Sequence, residues 1–273
     1  MSILDIFTYP FAYRALIVGV LVCLCAGLLG VNLVLKRYSM LGDGLSHVAF
    51  GAAALALTVG VTPMKIAVPI VVIAAFFLLR ISKGGKIHGD AAIAIVSSTS
   101  LAVGIIIATL TTGMNTDINN YMFGSVLAMS KSDVAVSVIV ALTVLVMYLL
   151  FYNKIYVCTI DEKFARGCGV NVELYSSMLS VLTAVVVVVG MKMIGALLIS
   201  SIIIFPAISS MRICKSYKAT VICSGVLSCV CFVLGLLISF AYDLPAGASV
   251  VAANFLTFLL FTLISKMHFR ISL

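Results

Sequence analysis

The chain has 273 residues, 63% of them hydrophobic and only 10% charged, whereas a soluble domain is about 45–50% apolar. That excludes an ordinary soluble globular protein and makes lipid the natural solvent. The formal net charge of +8 comes from Lys and Arg set between apolar runs, the pattern of cytoplasmic loops and not of a nucleic-acid footprint.

In chain order, residues 1–10 carry Asp5 and no basic residue, so the start reads as retained and not as a cleaved signal peptide. Nine apolar stretches follow, at about 15–35, 40–60, 62–80, 91–112, 133–153, 173–191, 194–211, 219–241 and 246–265. Each approaches the ~20 residues that cross a bilayer. Lipid offers no partner to an open strand edge, so all are expected to be helices. The expected fold class is an all-α integral membrane protein, a polytopic helical bundle of about nine spans, eight to ten at the limits. The break near Lys192 is short, so 173–211 reads either as two spans or as one bent unit. Segment 119–129 reads either as a loop or as a re-entrant piece. The whole of 1–273 is expected to be a single transmembrane domain, with 154–172 as a cytoplasmic loop inside it.

Basic residues alternate between connections. Lys36 and Arg37, then Arg80, Lys83 and Lys86, then Lys154, Lys163 and Arg166, then Arg212, Lys215 and Lys218, and finally Lys266 and Arg270 all fall on one side if there are nine spans. By the positive-inside rule that side is the cytoplasm, with the N-terminus outside and the C-terminus inside. Cys23, Cys25, Cys223, Cys229 and Cys231 lie in apolar runs, and Cys158, Cys168 and Cys214 in or beside cytoplasmic segments. All read as small packing residues, not as a disulfide framework.

Ionisable groups inside a span are costly and so are candidates for function. Gly42-Asp43-Gly44-Leu45-Ser46-His47 opens the second stretch. Asp43 and His47 are four apart and share a helix face. A carboxylate and an imidazole make half of a site for Zn²⁺, Mn²⁺ or Fe²⁺. A symmetric pair of chains would double it to two of each. The bland alternative makes Asp43 a first-turn residue and His47 a hydrogen-bonding neighbour in the bundle.

Residues Asp161 to Val170 are charged around an apolar Phe164. They read either as a short amphipathic helix that docks in a partner's groove or as a solvated loop. Gly190 to Gly195, Ser200, Ser201 and Pro206 read as close helix packing and a kink. Lys192 is expected to snorkel to the outer surface. His88 and His268 stand without a ligand cluster. Asp117, Asp133 and Asp243 fall in outward segments and read as solvated. Asp243-Leu244-Pro245 reads as a helix stop and start. No G-x-x-x-x-G-K-[ST] phosphate loop and no H-E-x-x-H helix occurs, so no ATP-hydrolysing or zinc-protease site of those kinds is written here.

These residues resemble a known family. Gly42 to His47 looks like the G-D-A-L-S-H segment of bacterial ABC permeases for zinc, manganese and iron. Phe123-Gly124-Ser125-Val126-Leu127, with Ser130 and Asp133, looks like that family's F-G-[SD]-[IL]-L segment. Asp161 to Val170 is similar to its D-x-x-x-A-x-x-x-G-V loop. Gly195-Ala196-Leu197-Leu198 through Pro206-Ala207 resembles its G-x-L-L…P-A span, and Asp243 to Gly247 its D-x-P-[TS]-G turn, with Ala246 in place of the hydroxyl residue. The matches are collinear over nearly the whole chain.

The resemblance implies a multi-pass permease of the bacterial cytoplasmic (inner) membrane, similar in fold to the vitamin B12 and siderophore importers. It implies a homodimer, two cytoplasmic ATP-binding cassette ATPase subunits, an extracytoplasmic metal-binding protein, surrounding membrane lipid and no nucleic acid. It implies no enzyme activity of the chain's own and no permanent cofactor, only a transported divalent ion, with zinc put ahead of manganese and iron. Asp43 and His47 would line the ion's path. Asp161, Glu162, Phe164, Ala165, Arg166 and Gly169 would couple to the ATPase. Gly195, Pro206, Asp243 and Pro245 would be structural or gating positions. Gly44 departs from the family, where Ala is common, and should loosen the helix start by roughly 0.5–1 kcal/mol. The rival reading is a proton-driven secondary metal transporter, which needs more buried carboxylates than Asp43 alone; an intramembrane enzyme would need a nucleophile–base set that Ser46 and His47, adjacent on a helix, do not form.

Overall fold

The computed structural model describes residues 10–83, 89–111, 121–122, 124 and 130–271. The helices are α1 (Pro10–Leu35), α2 (Ser39–Thr58), α3 (Pro63–Lys83), α4 (Gly89–Leu110), α5 (Lys131–Leu150), α6 (Tyr152–Ile160), α7 (Glu162–Gly167), α8 (Val172–Ile194), α9 (Ile199–Ile213), α10 (Tyr217–Tyr242) and α11 (Ala246–Ile271). Several starts are written in the sequence. Ser130, Asp161, Asn171 and Ser216 each accept a backbone N–H of the following first turn, and such side chains satisfy donors that a helix start leaves free.

Eight helices are long and apolar enough to cross a membrane, and α9 is a shorter apolar helix. The nine expected stretches are therefore present as eight full-length helices and a short one. The reason lies at the break after α8. Gly195 has φ 101°, a region open to glycine and strained for any side chain. Three more residues pass before α9 begins, leaving it 15 residues and about 22 Å of length. The break falls after Lys192, and 173–211 is two helices.

Helices α1, α2 and α8 are the most enclosed, while α3, α4, α5 and α11 turn broad faces outward. α1 packs against α10, α9, α5 and α8, and α2 against α4, α3 and α8. Lipid tails are as apolar as Leu, so contact between helices rests on close packing and hydrogen bonds. Gly27 on α1 lies against the backbone of Ser224 and Gly225 on α10, and Ser224 Oγ donates to Gly27 O at 2.7 Å. The basic connections gather at one end of the bundle. Lys36 meets Glu162 there. Arg80 borders a cavity with Asn171 and Glu173, and Lys215 borders one with Leu35 and Ile160.

Candidate functional site

Asp43 is the fifth residue of α2, which has no acidic residue in its first turn. Asp43 therefore does not serve as a helix-start residue, and no backbone N–H of the first turn draws on its carboxylate. Asp43 Oδ2 and His47 Nε2 lie 3.7 Å apart, with side chains 37% and 11% exposed. That exceeds a direct hydrogen bond. The second imidazole nitrogen, Nδ1, is buried with no partner. A buried polar atom without a partner costs about 1–3 kcal/mol. α2 thus presents one carboxylate and one underused imidazole on one face. Among the described residues no third His, Cys, Asp or Glu joins them. Two such groups are too few for a tight metal site in one chain.

α2 is held in place by small residues. A Cβ on Gly44 would lie 2.5 Å from Ile93 Cγ2 on α4. The glycine that was expected only to loosen the helix start therefore also admits a bulky neighbour.

The charged segment after α6 is ordered and not a plain solvated loop. Asp161 Oδ1 accepts from Lys163 N at 2.9 Å and Phe164 N at 3.0 Å. Gly169 closes the short α7 at φ 75°, and Val170 N donates back to Ala165 O at 3.0 Å. Ala165 is buried in a small cluster with Cys158 and Val172, whereas Phe164 is 62% exposed. The helix therefore turns a small residue inward and a large apolar one outward, with Arg166 exposed beside it. Glu162 reaches back to the turn after α1, where Lys36 Nζ donates to its Oε1 at 2.8 Å. The carboxylate and burial together raise the Tyr38 phenol pKa, burial being the larger cause.

At the opposite end, Lys192 does not snorkel outward. Its Nζ pairs with Asp133 Oδ2 at 2.5 Å. Asp133 was expected to be solvated. Its carboxylate instead also accepts Ser130 N at 3.0 Å and Ser130 Oγ at 2.6 Å. Ala196 N and Leu197 N donate to Tyr121 O and Met122 O at 2.9 and 3.3 Å, and Gly124 sits directly against Ile194 and Gly195. Gly124 and Asp133 of the one motif thus meet the Lys192 to Gly195 stretch of the other. Phe123, Ser125, Val126, Leu127, Asp117, Lys86 and His88 lie outside the described residues, as does the His268 side chain.

Pro206 lies inside α9 next to Phe205, whose ring meets Phe255 edge-on and Phe258 at a tilt, with centroids 6.1 and 5.9 Å away on α11. Asp243 ends α10 in the left-handed region at φ 51°, and Pro245 O accepts Ser249 N at 3.1 Å in the first turn of α11. Both behave as helix punctuation. None of the eight cysteines is joined in a disulfide.

Sequence reading missed Asn32. It is fully buried, and its Nδ2 donates to Tyr148 Oη at 3.0 Å and Leu28 O at 3.1 Å. Its Oδ1 accepts from Thr159 Oγ1 at 3.1 Å and Tyr217 Oη at 2.6 Å. The signal was present as a lone amide in an otherwise apolar run.

Residues 8–265 match the ABC 3 transport family. The chain is 30% identical to the manganese import system permease protein ScaB of Streptococcus gordonii, over 92% of this chain and 90% of ScaB. It is 28% identical to the high-affinity zinc uptake system membrane protein ZnuB of Haemophilus influenzae, over 92% of this chain and 97% of ZnuB. Among solved structures, PsaBC from Streptococcus pneumoniae in complex with Fab matches with a TM-score of 0.86 at 29% identity, covering 95% of each chain.

Proposed function

The chain belongs to the ABC 3 transport family, and we propose that it is the membrane-spanning subunit through which a divalent transition-metal ion, manganese or zinc, enters the cell. The observation that carries this is the end-to-end similarity to permeases named for those two metals, on a chain with eight membrane-length helices. The sequence put zinc first. The names of the relatives include both metals, and an Asp–His donor pair suits either one, since carboxylate is common for manganese and imidazole for zinc.

In this reading the whole chain acts as one permease domain. Two copies face each other so that Asp43 and His47 of each line the ion's path. Two donors per copy give four in the pair, enough to hold an ion briefly without trapping it. His47 Nδ1, buried without a partner, is the nitrogen free to change its bonding as the ion passes. The ion comes from a separate extracytoplasmic binding protein. Energy comes from a separate ATPase that docks on residues 161–169, with exposed Phe164 entering its groove and Ala165 fixing the helix from behind. The end carrying the basic connections faces the cytoplasm, which sets the N-terminus outside and the C-terminus inside. Gly195, Pro206, Asp243 and Pro245 set the breaks about which helices reorient.

The test is cellular metal content. A bacterial host lacking its own manganese and zinc uptake is given this chain with its ATPase and binding protein, and intracellular manganese, zinc and iron are measured by mass spectrometry. A rise in manganese or zinc that needs all three components supports the reading and names the cargo. A rise that persists without the ATPase favours a proton-driven carrier and overturns it.

A further inference from the structure

Asn32 near the end of α1 and Lys36 just past it lie one turn apart, and Lys36 N still donates to Asn32 O, so the two side chains share a face. That face touches the docking segment before, inside and after it. Asn32 Oδ1 accepts from Thr159 on α6. Lys36 Nζ donates to Glu162 Oε1 on α7 at 2.8 Å and to Ser176 Oγ on α8 at 3.0 Å. The Lys36 side chain is only 5% exposed, against 41% for Glu162. An ammonium this enclosed is costly to leave unpaired, so it follows its partners when they move.

What lies beyond Lys36 has little slack. Lys36 N donates to Asn32 O at 3.0 Å, Arg37 N to Val34 O at 3.1 Å and Tyr38 N to Leu33 O at 2.8 Å. Arg37 sits at φ 60°, an uncommon region for a residue with a side chain. α2 starts at Ser39 and reaches Asp43 one turn later. The route from Glu162 to Asp43 is one ion pair and one closed turn. On the other side, Asn32 accepts from Tyr217 and donates to Tyr148, so α10 and α5 are tied to the same point.

We propose that Lys36, held in register by Asn32, is the joint that passes movement of the 161–169 segment to α2 and its Asp43–His47 face. This rests on the reading of that segment as the ATPase-docking surface. Lys36 is a positioning residue: it acts through Glu162 and the turn to α2, and touches neither ion nor nucleotide. The competing account is a clasp that merely stabilises the fold, and the two differ in what they do to energy coupling.

The experiment uses the full complex of this chain with its ATPase and binding protein in proteoliposomes, measuring ATP hydrolysed and manganese or zinc taken up. Lys36→Met keeps length and apolar bulk and removes the charge. The expected result is unchanged ATP hydrolysis with ion uptake per ATP reduced roughly 2- to 30-fold, the span seen for residues in coupling networks. Lys36→Arg restores the cation and should restore the ratio. The exchange Lys36→Glu with Glu162→Lys should recover part of what either single change loses. If Lys36→Met fails to assemble, Ser176→Ala, which removes only the hydroxyl contact, carries the same test with a smaller drop. Wild-type uptake per ATP in Lys36→Met or, in its place, in Ser176→Ala overturns the proposal, as does a fall in uptake matched by an equal fall in hydrolysis. Absence of ATP-dependent uptake in the wild-type complex would instead overturn the permease reading itself.

Discussion

Gly44→Ala should destabilise this protein although alanine is the better helix former. The added Cβ would lie 2.5 Å from Ile93 Cγ2, well inside van der Waals contact. Ile93 is buried on α4, and a β-branched side chain has little rotamer freedom with which to retreat. Overpacking of this kind costs about 1–3 kcal/mol. The gain from replacing a mid-helix glycine is about 0.5–1 kcal/mol, so the net loss is about 0–2.5 kcal/mol, centred near 1. Ile93→Ala alone should cost about 2–5 kcal/mol through its cavity. The double variant should recover part of that, because the new methyl enters the space vacated by Cγ2, giving a coupling energy of at least about 0.5 kcal/mol. Thermal unfolding of the four proteins in one detergent gives the cycle. Additivity within about 0.5 kcal/mol would refute the packing argument and return Gly44 to a loosened helix start.

Three further outcomes are expected. Asp43→Asn with His47→Gln should abolish most metal uptake while leaving the melting temperature nearly unchanged, since both changes roughly keep the buried volume and His47 Nδ1 has no hydrogen bond to lose; radioactive manganese or zinc uptake set beside a melting curve checks both halves. Gly195→Ala must hold φ near 101° and should cost about 1–3 kcal/mol, visible as a lower melting temperature. Lys192→Met or Asp133→Asn alone leaves a half-enclosed charge unpaired and should cost about 1–3 kcal/mol, while the double change should cost less than the sum, as measured by the same unfolding cycle.

Much of the bundle was legible because length and hydropathy alone decide what spans a membrane. The predicted 219–241 became Tyr217–Tyr242 and the predicted 173–191 became Val172–Ile194. The short α9 was not legible, since an apolar run does not announce that Gly195 will hold a positive φ and that Ala196 and Leu197 will pair with Tyr121 and Met122. Lys192 was misread for a related reason. A lysine near a helix end normally reaches water, and only the fold brings Asp133 from the start of α5 to the end of α8. Asp43 and His47 were paired by spacing alone, and α2 does put them on one face. Lys36 was read as an orientation signal alone, because nothing local says that a carboxylate 126 positions away will pair with its ammonium.

The measurement that bears most directly on the account is uptake of radioactive manganese and zinc into proteoliposomes holding this chain and its ATPase, with the binding protein on the side away from the basic connections. ATP supplied to the basic side should drive ions toward that side, with one metal displacing the other according to preference. Uptake driven by a proton gradient without ATP, or ATP-driven movement in the opposite direction, would contradict it.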